Sequence, residues 1–450
     1  MKNIDFVKKV KNKEIDIIEH THKVLEEAEK NKQYFTTICK ELALKQAKEL
    51  SKNPKGKLAG LPISVKDSIC VKGVETTAGS KILKGYKPVF NATIINKAIN
   101  QGAIIIGKTI MDEFGFGSFC TNIGKNYKIP KNPLNHERVT GGSSGGCAGI
   151  TQKTKNPHLS LGESTGGSIA CPASFCGVIG FTPTYGMISR YGLIDYASSM
   201  DKIGIMCKNI NDCKQGYNAL YEFDKKDNTS LNHKLKKGKV KKIAIINSAF
   251  NILQPEIKET ILKKIEHLEY DKIDLPLTKK YSLPCYYLLA MCESSTNLAK
   301  YCGMKYGYSN ELKDNYNKYF TNIRTESLNK ESKRRIILGT FARMAGFRDA
   351  YYLKAAKIRT LILNEYKKIF KKYDILLSPT MPNIAPKLKE INLMKPIEHY
   401  NMDLLIVGPN LTGLPHLSIP SGNHKNMPLG LMIIADQLKD NNVFEVFKDG

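Results

Sequence analysis

The chain has 450 residues, of which 42% are hydrophobic and 25% are charged, so it can bury a large core as one domain or as two to three smaller ones. It contains no run of 18 apolar residues and its N-terminus lacks the features of a secretory signal, which argues against a membrane span and predicts a cytoplasmic protein. Eleven cysteines without a CxxC pair predict reduced thiols, with neither a disulfide framework nor a metal site.

The net charge of +27 leaves two interpretations open. One is contact with an acidic partner such as RNA, because basic surfaces attract phosphates. The other is a lysine-rich composition, since the lysines are dispersed along the chain and do not form one stripe. The sequence alone does not decide whether this chain touches RNA directly.

The N-terminal half predicts alternating helices and strands. Residues 1 to 50 carry apolar side chains at helical spacing, residues 58 to 65 form a turn that leads into a short buried strand, and residues 92 to 108 predict a helix followed by a strand. Residues 140 to 192 are rich in Gly, Ser, Thr and Pro and carry little charge, which indicates backbone folded tightly inside the protein. This alternation is typical of layered α/β folds.

The C-terminal half resumes after a Lys-rich segment at residues 221 to 242, which we interpret as a linker or insertion. Residues 243 to 247, 373 to 379 and 429 to 434 predict buried strands, and residues 327 to 370 predict long amphipathic helices. We therefore predict a single domain over 1–450. It comprises a helical N-terminal segment (1–50), a catalytic core (51–220), the linker (221–242) and a remainder that completes the sheet and the substrate pocket (243–450).

Two segments place hydroxyl groups among glycines: Gly141-Gly-Ser-Ser-Gly-Gly146 and Ser164-Thr-Gly-Gly-Ser168-Ile-Ala-Cys-Pro172. Glycine lets the backbone approach a ligand closely, and successive N–H groups can then hold an oxyanion. A serine in such a loop is placed as a nucleophile. A phosphate-binding or merely flexible loop is the alternative, although no GxxxxGK[ST] pattern is present.

A serine nucleophile needs a base, and Lys66 is the candidate. It follows the apolar run of the first predicted strand, so its amine is expected to be buried, and burial disfavours the ammonium form. Only one of the nine histidines, His158, lies in the Gly- and Ser-rich region, in a polar stretch. A histidine from a distant part of the chain is the alternative base.

These segments, together with Gly60-Leu-Pro-Ile-Ser-Val-Lys66-Asp67, resemble the motifs of the amidase signature family, and the resemblance covers nearly the whole chain. It implies an α/β fold with a large mixed β-sheet covered by helices on both faces. It also implies a catalytic triad in which a lysine acts through a serine that follows a cis peptide bond. Carried over to this sequence, the triad is Lys66, Ser144 and Ser168.

The resemblance further implies an oxyanion hole formed by the backbone N–H groups of Thr165, Gly166, Gly167 and Ser168. Neutral Lys66 would take a proton from Ser144, which would take one from Ser168, and Ser168 would attack an amide carbon. The usual family run Ser-Asp-Thr-Gly-Gly-Ser-Ile-Arg here begins Glu163-Ser164 and ends in Ala170, so its Asp and Arg are both absent.

Within the family, residues 181 to 204, 333 to 341 and 349 to 361 are similar to the glutaminase subunits of tRNA-dependent amidotransferases. This similarity implies hydrolysis of glutamine to glutamate and ammonia. It implies B and C subunits as partners in a heterotrimer, in which the B subunit uses ATP and Mg to amidate Glu-tRNA(Gln) or Asp-tRNA(Asn), and no cofactor in this chain. The open alternatives are a stand-alone amidase for small or fatty amides and a non-catalytic RNA-binding or scaffold protein.

Free glutamine carries an α-ammonium and an α-carboxylate, so its pocket should offer an anion and a cation. The similarity assigns these roles to Asp403 and Arg335. It adds Tyr286 as a pocket wall and Ser143 as a further substrate-binding residue. From sequence alone, Arg335 lies in a basic helix where a solvated face is the usual arrangement, and Tyr286 adjoins Tyr287, which leaves the register open.

Overall fold

The computed structural model describes residues 1–124, 127–313 and 315–447. Within them, eleven strands form one mixed sheet. The strands are β1 (Phe35–Ile38), β2 (Pro62–Lys66), β3 (Ile104–Thr109), β4 (Leu159–Ser164), β5 (Ile179–Thr182), β6 (Lys202–Cys207), β7 (Ile243–Ile246), β8 (Asp271–Ile273), β9 (Ile375–Pro379), β10 (His416–His424) and β11 (Met427–Ala435).

Helices connect and cover these strands. They are α1 (Asn3–Lys11), α2 (Ile17–Lys30), α3 (Lys40–Lys52), α4 (Thr93–Asn100), α5 (Gly145–Lys153), α6 (Ala170–Cys176), α7 (Ile210–Leu220), α8 (Asn247–Phe250), α9 (Pro255–Ile265), α10 (Pro276–Asn297), α11 (Tyr316–Ser327), α12 (Lys330–Arg343), α13 (Lys354–Phe370), α14 (Leu388–Ile391), α15 (Pro396–Asn401) and α16 (Val407–Leu411). A π-helical turn, Asp349–Leu353, precedes α13. Among the described residues, no helix combines the length and the apolar character that a bilayer crossing requires.

The order of the sheet is β1-β3-β2-β4-β6-β5-β10-β11-β9-β7-β8. In its first half, β2 lies between β3 and β4 and is parallel to both. The parallel register pairs Val65 with Leu161, so the carboxyl ends of β2 and β4 meet at the same edge. Since ligand sites form beyond the carboxyl ends of parallel strands, this edge brings Lys66 and the residues after Gly162 together.

Helix α2 shows how the N-terminal sequence specifies its own structure. Asp16 caps it by accepting hydrogen bonds from the N–H groups of Ile18 and Glu19, which satisfies two donors that the helix leaves unpaired. Its buried residues recur every three or four positions and form one apolar stripe, as the pattern predicts: Ile17, Thr21, Val24, Leu25 and Ala28.

The predicted α/β fold with a large mixed sheet is confirmed, and the predicted strands are found as β2, β3, β7, β9 and β11. The sequence reading missed β1, which interrupts the predicted helical segment 1–50, and the 22-residue helix α10. Helix α10 is apolar on several sides and contains Pro284, so it lacks a single apolar stripe. All eleven cysteines are free thiols, and ten of them are buried.

Residues 221 to 242 contain no helix or strand, in agreement with a linker between β6–α7 and β7. The strands on either side of this segment nevertheless belong to one sheet, because β5 pairs with β10. This continuity supports the predicted organisation as one domain, which stays a prediction.

Candidate active site

Lys66, the last residue of β2, is completely buried, as predicted. Its Nζ donates to three oxygen atoms: Ser143 Oγ at 2.7 Å, the Glu163 carbonyl at 2.8 Å and Glu163 Oε2 at 2.7 Å. Three acceptors match the three N–H donors of an ammonium group. Lys66 is thus enclosed by three acceptor oxygens, one of them from a carboxylate.

The assignment of Ser144 as the serine next to Lys66 is wrong. Lys66 contacts Ser143, and the cis peptide bond joins Gly142 to Ser143. Ser144 precedes α5, and its hydroxyl donates to the Glu163 carbonyl at 3.0 Å. The two serines are adjacent in sequence, but their side chains point to different neighbours, and a motif with two consecutive serines does not show which one reaches the lysine.

Ser168 lies in the glycine loop between β4 and α6 and lines a small pocket together with Gly142 and Gly167. It is 8% exposed, so its hydroxyl borders the pocket without being open to solvent. The Ser144 N–H donates to the Ser168 carbonyl at 3.2 Å, which fixes the two serine loops against each other. The loop that was predicted to carry the nucleophile thus lies directly beside Ser143.

The glycines of this loop are required by what packs on them. A Cβ atom on Gly166 would lie 2.5 Å from the Tyr286 hydroxyl oxygen, and one on Gly167 would lie 2.0 Å from Ile406 Cδ1. Both distances are shorter than any carbon or oxygen contact allows. Side chains at these two positions would therefore displace Tyr286 and Ile406.

Asn410 fastens the glycine loop to α16. Its Nδ2 donates to the Gly166 carbonyl at 2.6 Å, and its Oδ1 accepts from the Ser164 hydroxyl at 3.2 Å. Ser164 stands where the family pattern has Asp, and a serine–asparagine pair fills this position here. Ala170, which replaces the family's Arg, is completely buried.

Arg335 of α12 is only 3% exposed and lies in a box of aromatic rings. Its Nε donates to Glu331 at 2.8 Å and one terminal nitrogen donates to the Tyr196 hydroxyl at 2.7 Å. Four ring centroids lie 5.3 to 5.9 Å from its guanidinium carbon, those of Phe116, Tyr196, Tyr287 and Tyr400. Cation–π contacts with several rings hold the guanidinium in place while leaving an edge for a ligand.

Asp403 faces the same pocket and is 9% exposed. Its Oδ2 accepts hydrogen bonds from the Tyr287 hydroxyl at 2.7 Å and from the Ser118 hydroxyl at 2.9 Å. Burial raises the pKa of Asp403 to about 6, although these two hydrogen bonds and Arg335 act in the opposite direction. Asp403 makes no ion pair with a lysine or arginine among the described residues, so its charge is available to a cation in the pocket.

Both tyrosines of the 286–287 pair line the pocket, and their rings lie 4.9 Å apart. Tyr286 packs on Gly166 and Tyr287 binds Asp403. Sequence reasoning missed Tyr287, Tyr196, Ser118 and Glu163. For Glu163 the departure from the family motif was a signal, and for Tyr287 the open register of the Tyr286–Tyr287 pair was one, whereas nothing in the sequence singles out Tyr196 or Ser118.

The pocket brings together most of the predicted site. Ser168, Gly167, Tyr286, Arg335 and Asp403 line it together, with Ser143 behind Gly142 and Lys66 behind Ser143. His158, the one histidine of the Gly- and Ser-rich region, has its partners elsewhere: its ring nitrogen contacts Ser160 Oγ and its backbone N–H donates to Asn3 Oδ1. Within residues 1–124, 127–313 and 315–447, no group of three or more His, Cys, Asp or Glu side chains could hold a metal ion.

This combination of a lysine–serine pair, a serine in a glycine loop and a mixed eleven-stranded sheet is that of an amidase, and the chain belongs to the amidase family, whose model matches residues 16–444. The predicted family and the predicted class of enzyme, an amidohydrolase, are confirmed.

Two curated proteins are similar to this chain over nearly its full length. The chain is 42% identical over 433 residues to the A subunit of the Glutamyl-tRNA(Gln) amidotransferase of Archaeoglobus fulgidus, an alignment that covers 94% of this chain and 93% of the relative. It is 40% identical over 463 residues to the protein of the same name from Lachnospira eligens, with 98% and 95% covered.

Solved structures agree with the fold. The crystal structure of the Glutamyl-tRNA(Gln) amidotransferase A subunit from Thermotoga maritima matches with a TM-score of 0.74 and 33% identity, covering 90% of this chain and 89% of that chain. A bacterial aryl acylamidase of the amidase signature family matches with a TM-score of 0.82 at 21% identity, covering 99% and 94% of the two chains, and shares the fold.

Proposed function

We propose that this chain is the glutamine-hydrolysing subunit of a tRNA-dependent amidotransferase, with Ser168 as the nucleophile and Lys66 acting on it through Ser143. One observation carries the proposal: a serine in a glycine loop, an arginine and an aspartate line one small pocket, and a buried lysine–serine pair lies behind its wall. The similarity to curated A subunits over nearly the full chain supports it.

The proposed chemistry needs a route for protons between Ser168 and Lys66. Ser168 Oγ attacks the side-chain amide carbon of glutamine while its proton passes to Ser143, whose own proton passes to Lys66 Nζ. The reverse route delivers that proton to the leaving nitrogen, and ammonia departs from a glutamyl ester on Ser168. Water then hydrolyses this ester and releases glutamate.

The glycine loop supplies electrostatic stabilisation in this scheme. The backbone N–H groups of Thr165, Gly166, Gly167 and Ser168 stabilise the negative oxygen of the tetrahedral intermediates. Such preorganised donors lower the barrier by about 3–4 kcal/mol each in a site that excludes water. The packing of Tyr286 and Ile406 against Gly166 and Gly167 supports this role, because it leaves no space for side chains at these two positions.

The two charged residues of the pocket fit the head group of a free amino acid. Arg335 would bind the α-carboxylate and Asp403 the α-ammonium, while Tyr286 closes the wall next to Gly166. A fatty or aryl amide offers no group for either charge, so it would gain nothing from Arg335 or Asp403 beyond the protein contacts that they already make. The pocket therefore favours glutamine over the substrates of a stand-alone amidase.

In the proposed complex, the ammonia passes to a B subunit that uses ATP and Mg to amidate Glu-tRNA(Gln) or Asp-tRNA(Asn), and a small C subunit joins the two. This chain itself carries the hydrolysis step. A lone chain should consequently show weak glutaminase activity that rises when the B and C partners are present.

The proposal is tested by purifying the chain with its partners from the native source and measuring ammonia release from glutamine. Ser168→Ala should lower kcat by about 10³-fold or more because the nucleophile is lost. Ser174→Ala, a buried serine of α6 outside the pocket, serves as the matched control and should keep the activity.

Three results would contradict the proposal. Retained activity in Ser168→Ala would refute the nucleophile. Strong activity of the lone chain on amides without an α-amino acid head group would favour the stand-alone amidase. No hydrolysis of any amide by the unmodified complex would favour a scaffold or RNA-binding role.

A further inference from the structure

Glu163 brings a carboxylate into the active site at a position where the family motif has serine. Its Oε2 lies 2.7 Å from Lys66 Nζ, and the two side chains are 4% and 0% exposed. A Cβ atom on Gly115 would lie 3.7 Å from this Oε2 and 3.6 Å from Ser143 Oγ. The carboxylate, the ammonium and the serine hydroxyl are thus neighbours behind the pocket wall.

The ion pair has a consequence for the reaction. All three N–H donors of Lys66 are used, two by Glu163 and one by Ser143. An ammonium group with all donors engaged has no lone pair with which to take a proton from Ser143. Lys66 must first lose a proton, and the carboxylate in direct contact with it is the nearest acceptor.

A second carboxyl group continues the network on the far side of Glu163. Thr165 Oγ1 lies 2.8 Å from Glu163 Oε1 and 2.7 Å from Asp201 Oδ1. A hydroxyl has one hydrogen and can donate to only one of the two, so the other short contact requires a proton on a carboxyl group. The geometry therefore places one proton on the Glu163–Thr165–Asp201 chain.

Asp201 is the residue that holds this proton. It is completely buried, and burial together with the negative charge of Glu163 raises its pKa well above the usual value. Protonated Asp201 donates to Thr165, Thr165 donates to Glu163, and Glu163 accepts from Lys66. The three ionisable groups then sum to zero charge, which is the favourable state in a region without water.

We propose that Glu163 is a positioning residue that acts through Lys66: it holds the Lys66 side chain against Ser143 and takes up the proton that Lys66 releases before it serves as base. This inference rests on the proposed function. It assigns a proton acceptor that the lysine–serine–serine set lacks, from the contacts of Glu163 with Lys66 and Thr165.

The proton balance is closed at each step. The N–H bond from Lys66 to Glu163 breaks and an O–H bond forms on Oε2, which leaves a neutral amine and a neutral acid. The amine then takes the Ser143 proton as Ser143 takes that of Ser168. After the proton has passed back to the leaving nitrogen, Glu163 returns its own to Lys66, so the only net transfer is from Ser168 to ammonia.

Other ionisable groups also face this network and bear on its response to pH. Burial raises the pKa values of Asp112, Cys120 and Cys147, so both thiols stay neutral over the neutral range. The remaining neighbours are Tyr196, Asp195 and, across Asp112, Arg335. Burial raises the pKa of Tyr196 as well.

The test replaces Glu163 by Gln, which keeps the shape but accepts no proton. In the complex with its partners, Glu163→Gln should lower kcat by about 10²-fold at pH 7. The rate of the variant should also rise with pH above pH 7, by up to about tenfold per unit, because Lys66 must now lose its proton to solvent. The unmodified enzyme should show no such rise.

A second readout separates this inference from the proposed function. Phenylmethylsulfonyl fluoride forms a sulfonyl ester on an activated serine and releases fluoride, so its reaction with Ser168 needs the base but not glutamine. Mass spectrometry should show slower labelling in Glu163→Gln with the same rise with pH, and no labelling of this site in Ser168→Ala. Labelling that depends on Glu163 without glutaminase activity would support the inference and refute the function.

Controls guard against misfolding. Glu27→Gln changes a half-buried glutamate that accepts from Thr154 and Asn156 far from the pocket, and it should leave the pH profile unchanged. Thr165→Val breaks the contact between Glu163 and Asp201 and should shift the profile with about a tenfold loss in kcat, whereas Thr165→Ser restores the hydroxyl and the parental profile. Glutaminase activity within about threefold of the parent and an unchanged profile in both Glu163→Gln and Thr165→Val would overturn the inference.

Discussion

Two buried ion pairs of the same chemistry lie on neighbouring strands of the sheet. Lys66 at the end of β2 pairs with Glu163 at 2.7 Å, and Lys108 on β3 pairs with Asp67 at 3.0 Å. Both lysines are completely buried. Because buried pairs cost desolvation free energy, neither is explained by stability alone.

The two pairs differ in what the remaining donors of the lysine reach. Lys66 also contacts Ser143, which lies behind the wall of the pocket. Lys108 contacts Thr76, and its partner Asp67 is closed off by two hydrogen bonds from Thr77. The comparison teaches that burial of a lysine with a carboxylate does not by itself create a base. A hydroxyl that connects the pair to a pocket is what makes the Lys66 pair suited to catalysis.

The largest effect that separates the two pairs is expected from removing each lysine. Lys66→Met should lower kcat for glutamine by about 10²- to 10⁴-fold, because the base is lost. Lys108→Met should keep kcat per folded molecule while lowering the free energy of unfolding by about 3–5 kcal/mol, because Asp67 stays buried without its partner. Steady-state kinetics and urea unfolding of both variants measure the two quantities.

A similar loss of kcat in both variants would break this distinction. It would mean that the sheet edge as a whole, and not the Lys66–Ser143 contact, supports the reaction. The concentration of folded protein must be determined for each variant, since a less stable enzyme otherwise mimics a slower one.

Asp403 can be compared with Glu163 and Asp67, because it is also a buried carboxylate but accepts hydrogen bonds from hydroxyl groups and not from a lysine. Asp403→Asn should lower kcat/KM for glutamine by about 10- to 100-fold, the value of one charged hydrogen bond, with most of the change in KM. An amide substrate without an α-ammonium group is the control and should lose little. Equal losses for both substrates would refute the role of Asp403 in binding the ammonium.

The pH dependence of glutamine binding follows from the same residue. Because the pKa of Asp403 is raised to about 6, mainly by burial, the carboxylate is present above pH 6 and is neutralised below it. The value of kcat/KM should therefore be constant from pH 7 upward and fall by about tenfold per unit below pH 6. A pH series should show the fall of kcat/KM below pH 6 in the unmodified enzyme, and the Asp403→Asn variant should lack it.

The smallest expected effect is on the pH dependence of the free energy of unfolding. It concerns Lys202, the third lysine that is buried in the part of the chain described by the structure. It lacks a carboxylate within hydrogen-bond distance among those residues and donates to the Leu414 carbonyl at 2.9 Å. Burial, assisted by Arg359 and opposed by Asp440, lowers its pKa to about 7.

The sign for stability follows from the two end states. Between about pH 7 and pH 10.5 the unfolded chain binds one more proton at Lys202 than the folded chain, so this residue makes the free energy of unfolding increase with pH by up to about 1.4 kcal/mol per unit. Lys202→Met should remove that contribution. Urea unfolding at pH 7.5, 8.5 and 9.5 measures the two slopes, and identical slopes would contradict a neutral Lys202.

Much of the fold follows from local patterns, because the buried strands and amphipathic helices carry their own periodicity. The strand ending at Lys66 was predicted correctly for that reason, and the glycine loop of Ser168 was predicted from its hydroxyl groups among glycines. The identity of the serine next to Lys66 was not, since consecutive serines share one motif while their side chains diverge. Glu163 was noted only as a departure from the family pattern, because its partner Lys66 lies 97 residues away in the chain. Arg335 shows the same limit, as a residue in a basic helix that turns out to be enclosed by aromatic rings.

The pairing of β5 with β10 has a consequence for how the molecule tolerates a cut. Backbone cleavage within residues 221 to 242 would leave Lys66 and Ser168 on one fragment and Arg335 and Asp403 on the other. Neither fragment alone would contain all the residues of the pocket. The two pieces would still share one continuous sheet through the ladder that joins Phe181 to Leu417. The enzyme is therefore a natural candidate for fragment complementation, in which two separately made polypeptides regain activity only when they reassemble.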